Sequence, residues 1–523
     1  MRPPAPGARD PAVLALAALA VAGHLATIGR YGYFRDEFYY IACAGHLGAG
    51  YVDHPPLIGW ITRAVLETIG ASLPALRLLP ALASGVVVWL AARIAGEMGG
   101  GRLARALAAL CVLASPTYLF NMHVMTMNAF DILFWTLAAF LVVRAFNGAP
   151  ARTWTLFGVV AGLGLLNKHS LLFFGAGIVA GMILSTQRRL FRTRGPWIGA
   201  GIAAALFAPH VVWQFAHGWP TLEFVRNATA EKNVALGPAR FFAEQILGMN
   251  PAAFPIWAAG IVYLLVARAM RPYRAFGWAY LVVFALMMLR SAKPYYLTPV
   301  YPPLLAAGAV AVERVGAVAV GAVVGERAGA RRLRRALPSV AVTVVAVGAV
   351  AVAPLTLPVL SPEGHIRYSR ALGIQPRTGE RMETGELPQY FADMFGWEEL
   401  VATVAHVYEG LPPEERAHAA ILGSNYGEAG AVSFLGDRYG LPDAISGHNS
   451  YFLWGPGGWT GEGPLITINF SEEEARETFE EVTLAAVSCC RRCMPYEDRT
   501  PILVCRGPKR PVTEIWPSVK EFI

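Results

Sequence analysis

Charged side chains are scarce in this chain. Asp, Glu, Lys and Arg together make up 15% of its 523 residues, against about 25% in ordinary soluble domains. Lysine is rarest among the cations, 5 residues against 39 Arg. Six cysteines are too few for a small disulfide-stapled scaffold. No internal repeat and no collagen-like period is visible, and no Gly-rich loop that would cradle a nucleotide phosphate. Acidic residues are nearly missing from the first 359 positions, which hold 12 Asp+Glu against 30 Lys+Arg. Residues 360–523 reverse this, with 24 against 14. The formal charge of +8 is therefore +18 in one part and −10 in the other. A nucleic-acid binder does not hide its basic excess between apolar runs, so no nucleic-acid partner is expected.

What is abundant is apolar: 55% of residues are hydrophobic and the mean hydropathy is +0.43. A hydrocarbon core of about 30 Å needs about 20 apolar residues per helix. Such runs occur near 11–28, 77–96, 103–120, 130–147, 153–167, 171–187, 196–216, 252–269, 274–290, 297–324 and 337–359. The expected architecture is a polytopic α-helical membrane domain over 1–359, with about eleven spans, followed by a soluble α/β domain over 360–523. The first run lacks a small-x-small cleavage site and reads as a span. Short basic loops (Arg102/Arg105, Arg188/Arg189/Arg192/Arg194, Arg268/Arg271/Arg274) alternate with segments holding the polar clusters. The positive-inside rule then puts the N-terminus in the cytoplasm of an inner membrane and the tail outside it. In the tail, helices are expected at 394–410 and 471–487 and strands at 419–423, 465–469 and 501–505.

The outer loops 29–76 and 218–251, with the shorter outer turns, carry the candidate chemistry. Arg35-Asp36-Glu37 follows the first span among Tyr31, Tyr33, Tyr39 and Tyr40. Two adjacent carboxylates at a membrane surface are costly without a purpose, and one of them can serve as a general base. The bland reading is an aromatic belt with an Arg–Asp pair. Asp53 and His54 precede Pro55-Pro56, which start a helix over 57–69. Capping and structural support compete there with substrate contact and a weak metal signal. Asp131 opens a span after Asn121–Asn128, where the helix dipole alone would favour an acid, and is the candidate second carboxylate. Lys168-His169 interrupt two apolar runs. Arg290, Lys293, Tyr295 and Tyr296 place cations at the outer boundary against the inside-positive trend, and a phosphate group would compensate them. In the tail, Cys490 and Cys493 form a C-x₂-C pair. Too few further ligands accompany them for zinc, so a disulfide from Cys505 to Cys490 or Cys493 is expected.

Arg35-Asp36-Glu37, the loop Gly50-Tyr51-Val52-Asp53-His54-Pro55-Pro56, and Lys293-Pro294-Tyr295-Tyr296 before a Pro-rich span resemble a known family. They look like bacterial members of the protein-mannosyltransferase-like GT-C glycosyltransferases (glycosyltransferase family 39), a group that includes aminoarabinose transferases for lipid A. In the tail, Ser424–Gly430 and Gly447-His448-Asn449 through Trp454-Gly455-Pro456 are similar to one bacterial subgroup. The resemblance implies transfer of a sugar from a polyprenyl-phosphate donor to a lipid, glycan or protein acceptor on the outer face. It implies Asp36 as the catalytic carboxylate, supported by Glu37. Asp131 would position acceptor or sugar, and Lys168, Arg290 and Lys293 would meet the donor phosphate. Arg35, Tyr39, Asp53, His54, His169, Tyr295 and Tyr296 complete the expected substrate contacts. No metal ligand set is specified, and a divalent cation is left open. The rival reading is a transporter or flippase of a lipid-linked or anionic solute. Transporters place ionisable residues near the midplane and often repeat their halves, whereas here the candidates cluster at one face.

Overall fold

The computed structural model describes residues 10–289, 292–323 and 328–523, with side chains throughout except over 315–338. Arg290 lies outside the described residues. The protein is a polytopic helical membrane protein. Among the described residues, five helices are long and apolar enough to cross a membrane: Leu73–Glu97, Met127–Phe146, Arg194–Ala216, Arg268–Leu289 and Ser339–Thr356. Two further pairs, Leu171–Ile183 with Thr186–Arg192 and Pro238–Gly248 with Pro251–Val266, bend by 106° and 97°. Counting each pair as one span gives seven where eleven were expected. The other runs are helical too: Tyr301–Val323 is one helix of 23 residues, and the rest are short or broken. Pro11–Leu25 has 15 residues, and the run near 103–120 divides at Ser115 into Arg102–Leu113 and Pro116–Asn121. Pro116 at a first helical position cannot donate to the preceding turn, so the helix restarts there.

The chain divides into two compact units. One contains the residues up to Ile28, Arg77–Val211 and Ala235–Ser361; the other contains Gly29–Leu76, Val212–Val234 and Pro362–Ile523. In the first unit, helices Phe254–Val266 and Tyr301–Val323 cross at backbone contact. A Cβ on Gly260 would lie 2.0 Å from the Leu304 carbonyl oxygen, and one on Gly308 1.9 Å from that of Ile256. Apolar solvent gives helices no reason to associate, so close packing through small residues holds them together. Trp135, Trp257 and Tyr301 fill the interior. The helix Ser339–Thr356 leaves Val340, Val344, Val347 and Val350 exposed, an outward apolar stripe suited to lipid.

In the second unit a four-stranded sheet has the order β1-β2-β4-β3, with β1 (Ala420–Gly423), β2 (Leu465–Ile468), β3 (Phe479–Ser488) and β4 (Thr500–Pro508). β1 and β2 are parallel and the remaining pairs antiparallel. The helix expected at 471–487 stops at Thr478, and residues 479–488 are a strand. Ser471 and Glu474 form a reciprocal capping box that starts the helix. Beyond it, Phe479, Val482, Thr483 and Val487 are residues that fit a pleated surface, and they pair with β4. Leu422, Trp459, Leu465, Phe479, Leu503 and Cys505 form the core against this sheet. All six cysteines are free thiols, so the expected bridge from Cys505 is not formed. Cys505 pairs with Val482 five residues along β4 from the end where Thr500 meets Ser488. That is about 17 Å of strand, too far from the turn bearing Cys490 and Cys493 for a bond that needs Cα atoms within about 7 Å.

Candidate active site

The helix Arg35–Gly45 begins with both acidic residues in its first turn, where the dipole favours them. The two side chains part company at once. Glu37, 1% exposed, turns back and accepts the Phe34 amide hydrogen at 2.8 Å, closing the helix end. Asp36 stays partly open, with a quarter of its side chain accessible. Its Oδ1 accepts the Tyr426 hydroxyl at 2.9 Å and lies 4.0 Å from Arg35 Nε. Tyr426 is itself fixed by stacking on Tyr39 and His448, with ring centroids 4.6 and 4.7 Å away. Its helix, Tyr426–Leu435, approaches the Asp36 helix closely because Gly427 and Gly430 have no side chain. A Cβ on Gly430 would lie 2.8 Å from Phe38 Cβ, and one on Gly427 2.5 Å from Arg35 Cγ.

Arg35 is buried, and its guanidinium meets the Tyr496 hydroxyl and, at 3.9 Å, Asp393 Oδ2, while its ring-facing side lies 5.6 Å from the centre of Tyr426. Burial pushes the Asp393 carboxyl up to about 6, against the opposing pull of Arg35. Beside this lies a pair of acids, one fully enclosed and one half-buried. Glu428, fully enclosed, accepts from the Ser424 amide at 2.7 Å and from Asn469 Nδ2 at 3.0 Å. Glu497 accepts from Asn425 Nδ2 at 3.2 Å. Burial raises both, Glu428 to about 7, and the Glu428 charge raises Glu497 further. Asp36 is thus a partly open carboxylate beside the buried Asp393 and Glu428.

Tyr39 donates to Asp53 Oδ1 at 2.7 Å, and Ser450 Oγ is equally close to the phenol oxygen. Asp53 therefore holds Tyr39 rather than capping the next helix, whose N-terminal position is Pro56. His54 is wholly buried, with Nδ1 2.8 Å from the Pro55 oxygen and Nε2 3.9 Å from Cys43 Sγ. It packs edge-on under Tyr39 and Tyr40.

The helical unit has its own polar cluster. Asp131, 2% exposed, accepts the Ser170 hydroxyl at 2.6 Å and stands 4.0 Å from Lys168 Nζ. Lys168 donates to Asn128 Oδ1 at 2.6 Å, and its ammonium lies 4.4 Å from the Tyr296 ring centre and 5.5 Å from that of Tyr295. Such cation–π contacts strengthen when desolvated. Asp131, Lys168, Tyr295 and Tyr296 are thus brought together. His169 turns elsewhere, its Nε2 3.0 Å from His210 Nε2. Lys293 sits immediately before the short helix Pro294–Val300. Among the described residues, no three His, Cys, Asp or Glu gather as a metal site.

A family model described as dolichyl-phosphate-mannose-protein mannosyltransferase matches residues 53–213. Two curated relatives come from Rhizobium johnstonii. The lipopolysaccharide core galacturonosyltransferase RgtB is 24% identical over 251 residues, 46% of this chain and 50% of its own. The lipid A galacturonosyltransferase RgtD is 25% identical over 277 residues, 50% and 56%. The chain spans about half the length of these relatives. The crystal structure of ArnT from Cupriavidus metallidurans bound to undecaprenyl phosphate matches 94% of this chain and 97% of that one, with a TM-score of 0.63 at 15% identity. The fold is of the GT-C glycosyltransferase type. The archaeal oligosaccharyltransferase AglB from Archaeoglobus fulgidus shares it more distantly, with a TM-score of 0.50, 12% identity, and 89% and 70% of the two chains covered. The family match includes Asp53, His54, Asp131, Lys168 and His169, while Asp36 lies N-terminal to it.

Sequence reasoning missed Tyr426, Ser450, Asp393, Tyr496, Glu428 and Glu497 as neighbours of the Asp36 helix. Only one of these groups left a local signal. Asn425 three residues before Glu428 is a capping-box pattern, and both halves of the box form.

Proposed function

We propose that the chain is a membrane glycosyltransferase that moves a sugar from a polyprenyl-phosphate-linked donor to an acceptor on the outer face of the cytoplasmic membrane. The observation that carries this reading is Asp36: a partly open carboxylate, oriented by Tyr426, in a chain of GT-C fold. Asp36 takes the proton from the acceptor hydroxyl or amine as that atom attacks C1 of the sugar. The new bond to C1 forms as the bond from C1 to the phosphate oxygen breaks, and one direct displacement inverts C1. The leaving polyprenyl phosphate gains negative charge, which Lys168, Lys293 and Arg290 are proposed to meet. Asp131 keeps Lys168 oriented, and Glu37 supports Asp36 by closing the helix that bears it. A lipid-linked donor suits this side of the membrane, where nucleotide sugars are not available. The undecaprenyl phosphate in the ArnT structure and the lipid A and core lipopolysaccharide in the relatives' names support a polyprenyl donor and a cell-envelope acceptor.

Asp36→Asn tests the assignment. Transfer from a polyprenyl-phosphate sugar, followed by mass spectrometry of envelope glycans, should fall by ~10²-fold or more while the protein remains inserted. Near-normal turnover would remove Asp36 from the mechanism.

A further inference from the structure

The turn between β3 and β4 has chemistry that sugar transfer does not use. Its residues 489–494 read Cys-Cys-Arg-Arg-Cys-Met. Cys490 Sγ accepts the Cys493 amide hydrogen at 3.1 Å, and the Cys493 thiol reaches the Cys490 carbonyl oxygen at 3.2 Å. Both side chains pack on Gly396: a Cβ built there would lie 2.9 Å from Cys490 Sγ and 3.3 Å from Cys493 Cβ. Gly396, with φ +94°, has no side chain to fill the space that the two cysteines occupy. The Cys490 amide is fixed by Asp498 Oδ1 at 2.9 Å. Cys490 is half-buried and so within reach of a reagent, whereas Cys505 is enclosed in the sheet core.

We propose that Cys490 and Cys493 are a redox-active pair that closes to an intrachain disulfide by exchange with a disulfide-donating thiol oxidant, and that closure stiffens the turn holding Tyr496 on Arg35. The Cys490 thiolate attacks one sulfur of the donor disulfide and releases the first donor thiol. The Cys493 thiolate then attacks the Cys490 sulfur of the mixed disulfide and releases the second. Two electrons pass from the protein to the donor, and the two protons end on the donor thiols. The order follows from the hydrogen bonding. The Cys493 thiol and amide lower the Cys490 thiol to about 7, making it the attacking sulfur, and raise Cys493 in turn.

The consequence for the site follows from the chain on either side. Three residues after Cys493, the Tyr496 hydroxyl meets the Arg35 guanidinium; three before Gly396, the Asp393 carbonyl accepts the Arg35 amide at 3.0 Å. The dithiol thus lies between the two segments that grip the residue next to Asp36.

The full-length protein in detergent, equilibrated in reduced and oxidised dithiothreitol, provides the test. Differential alkylation with peptide mass spectrometry should show two thiols lost on oxidation, both from Cys490 and Cys493, with Cys43, Cys111 and Cys505 still alkylated after denaturation. Amide exchange over residues 494–499 should slow several-fold in the oxidised form, and Cys493→Ser should abolish that difference. Cys490 and Cys493 both remaining alkylatable, or either pairing with Cys489 or Cys505, would overturn the couple. Unchanged exchange would overturn the stiffening. Neither readout needs sugar transfer, so the outcome is independent of the reaction proposed above.

Discussion

The Tyr426 hydroxyl donates to Asp36 Oδ1 at 2.9 Å, joining residues 390 positions apart in sequence. A hydrogen bond to an ionised group contributes about 1.5–3 kcal/mol. Tyr426→Phe keeps the ring that stacks on Tyr39 and His448 and removes only the donor. It should lower kcat about tenfold or more with little change in donor KM, as measured by initial rates in membranes. An unchanged kcat would mean that Asp36 is oriented by other groups.

Close packing of two helices sets that distance, so Gly430 is a sensitive point. Gly430→Val would press its added carbons on Phe38, whose backbone is already 3.1 Å from the site of a Cβ. Overpacking of this kind costs about 1–3 kcal/mol. Thermal unfolding in detergent should shift to lower temperature, and activity should fall with it. Gly440→Ala, at a position with open space but φ +67°, should destabilise through backbone strain while leaving the activity of the folded fraction unaltered.

For the donor phosphate, Lys168→Ala and Lys293→Ala should each raise donor KM by ~10- to 100-fold, the range expected for one charge-assisted hydrogen bond. Titration with a polyprenyl-phosphate sugar at saturating acceptor measures this. Unchanged donor affinity in both variants would count against phosphate recognition by either cation.

The buried carboxyls give the C-terminal unit a pH-dependent stability. Asp393 rises from 3.8 to about 6 on folding and Glu428 from 4.5 to about 7. The folded state therefore binds protons that the unfolded state has lost, so ν_N exceeds ν_U between the two values. Stability is full below about pH 4 on this account and declines as pH rises through 6 to 7. Hydrogen exchange in the C-terminal segment should show less protection at pH 7.5 than at pH 5.5. Glu428→Gln, which keeps the hydrogen-bonding shape without the charge, should flatten the Glu428 share of that slope.

Orientation has a native reporter. Cys489 is exposed, and the proposed orientation puts the tail outside. A membrane-impermeant maleimide should label it in intact spheroplasts, as it should Ala230→Cys in the second outer loop. Labelling of either site only after lysis would invert the assignment.

The polar cluster of the first loop was legible in the sequence because its residues are adjacent. Arg35-Asp36-Glu37 stood out as charge where charge is expensive, and the structure gives the two acids different surroundings: Glu37 turns to the helix end, and Asp36 stays partly open. Asp131 and Lys168 each stood out among apolar residues, but their pairing at 4.0 Å was not legible. Asp393, Tyr496 and Glu497 were not. In an acidic tail, a carboxyl destined for burial looks like any solvated one, and only the fold brings it beside Arg35. Hydropathy measures composition and does not register where a helix bends, as in the 97° break between Pro238–Gly248 and Pro251–Val266. The strand 479–488 was hidden behind its own helix signal, the Ser471–Glu474 cap and the glutamates that follow it.

Three of the acids behind the −10 assigned to residues 360–523 are Asp393, Glu428 and Glu497. Burial drives each of them toward the neutral acid. The folded tail therefore presents less negative charge than its composition declares, and it releases protons when this region opens. An anionic envelope acceptor would accordingly meet a weaker repulsive field from the tail than the sequence implies.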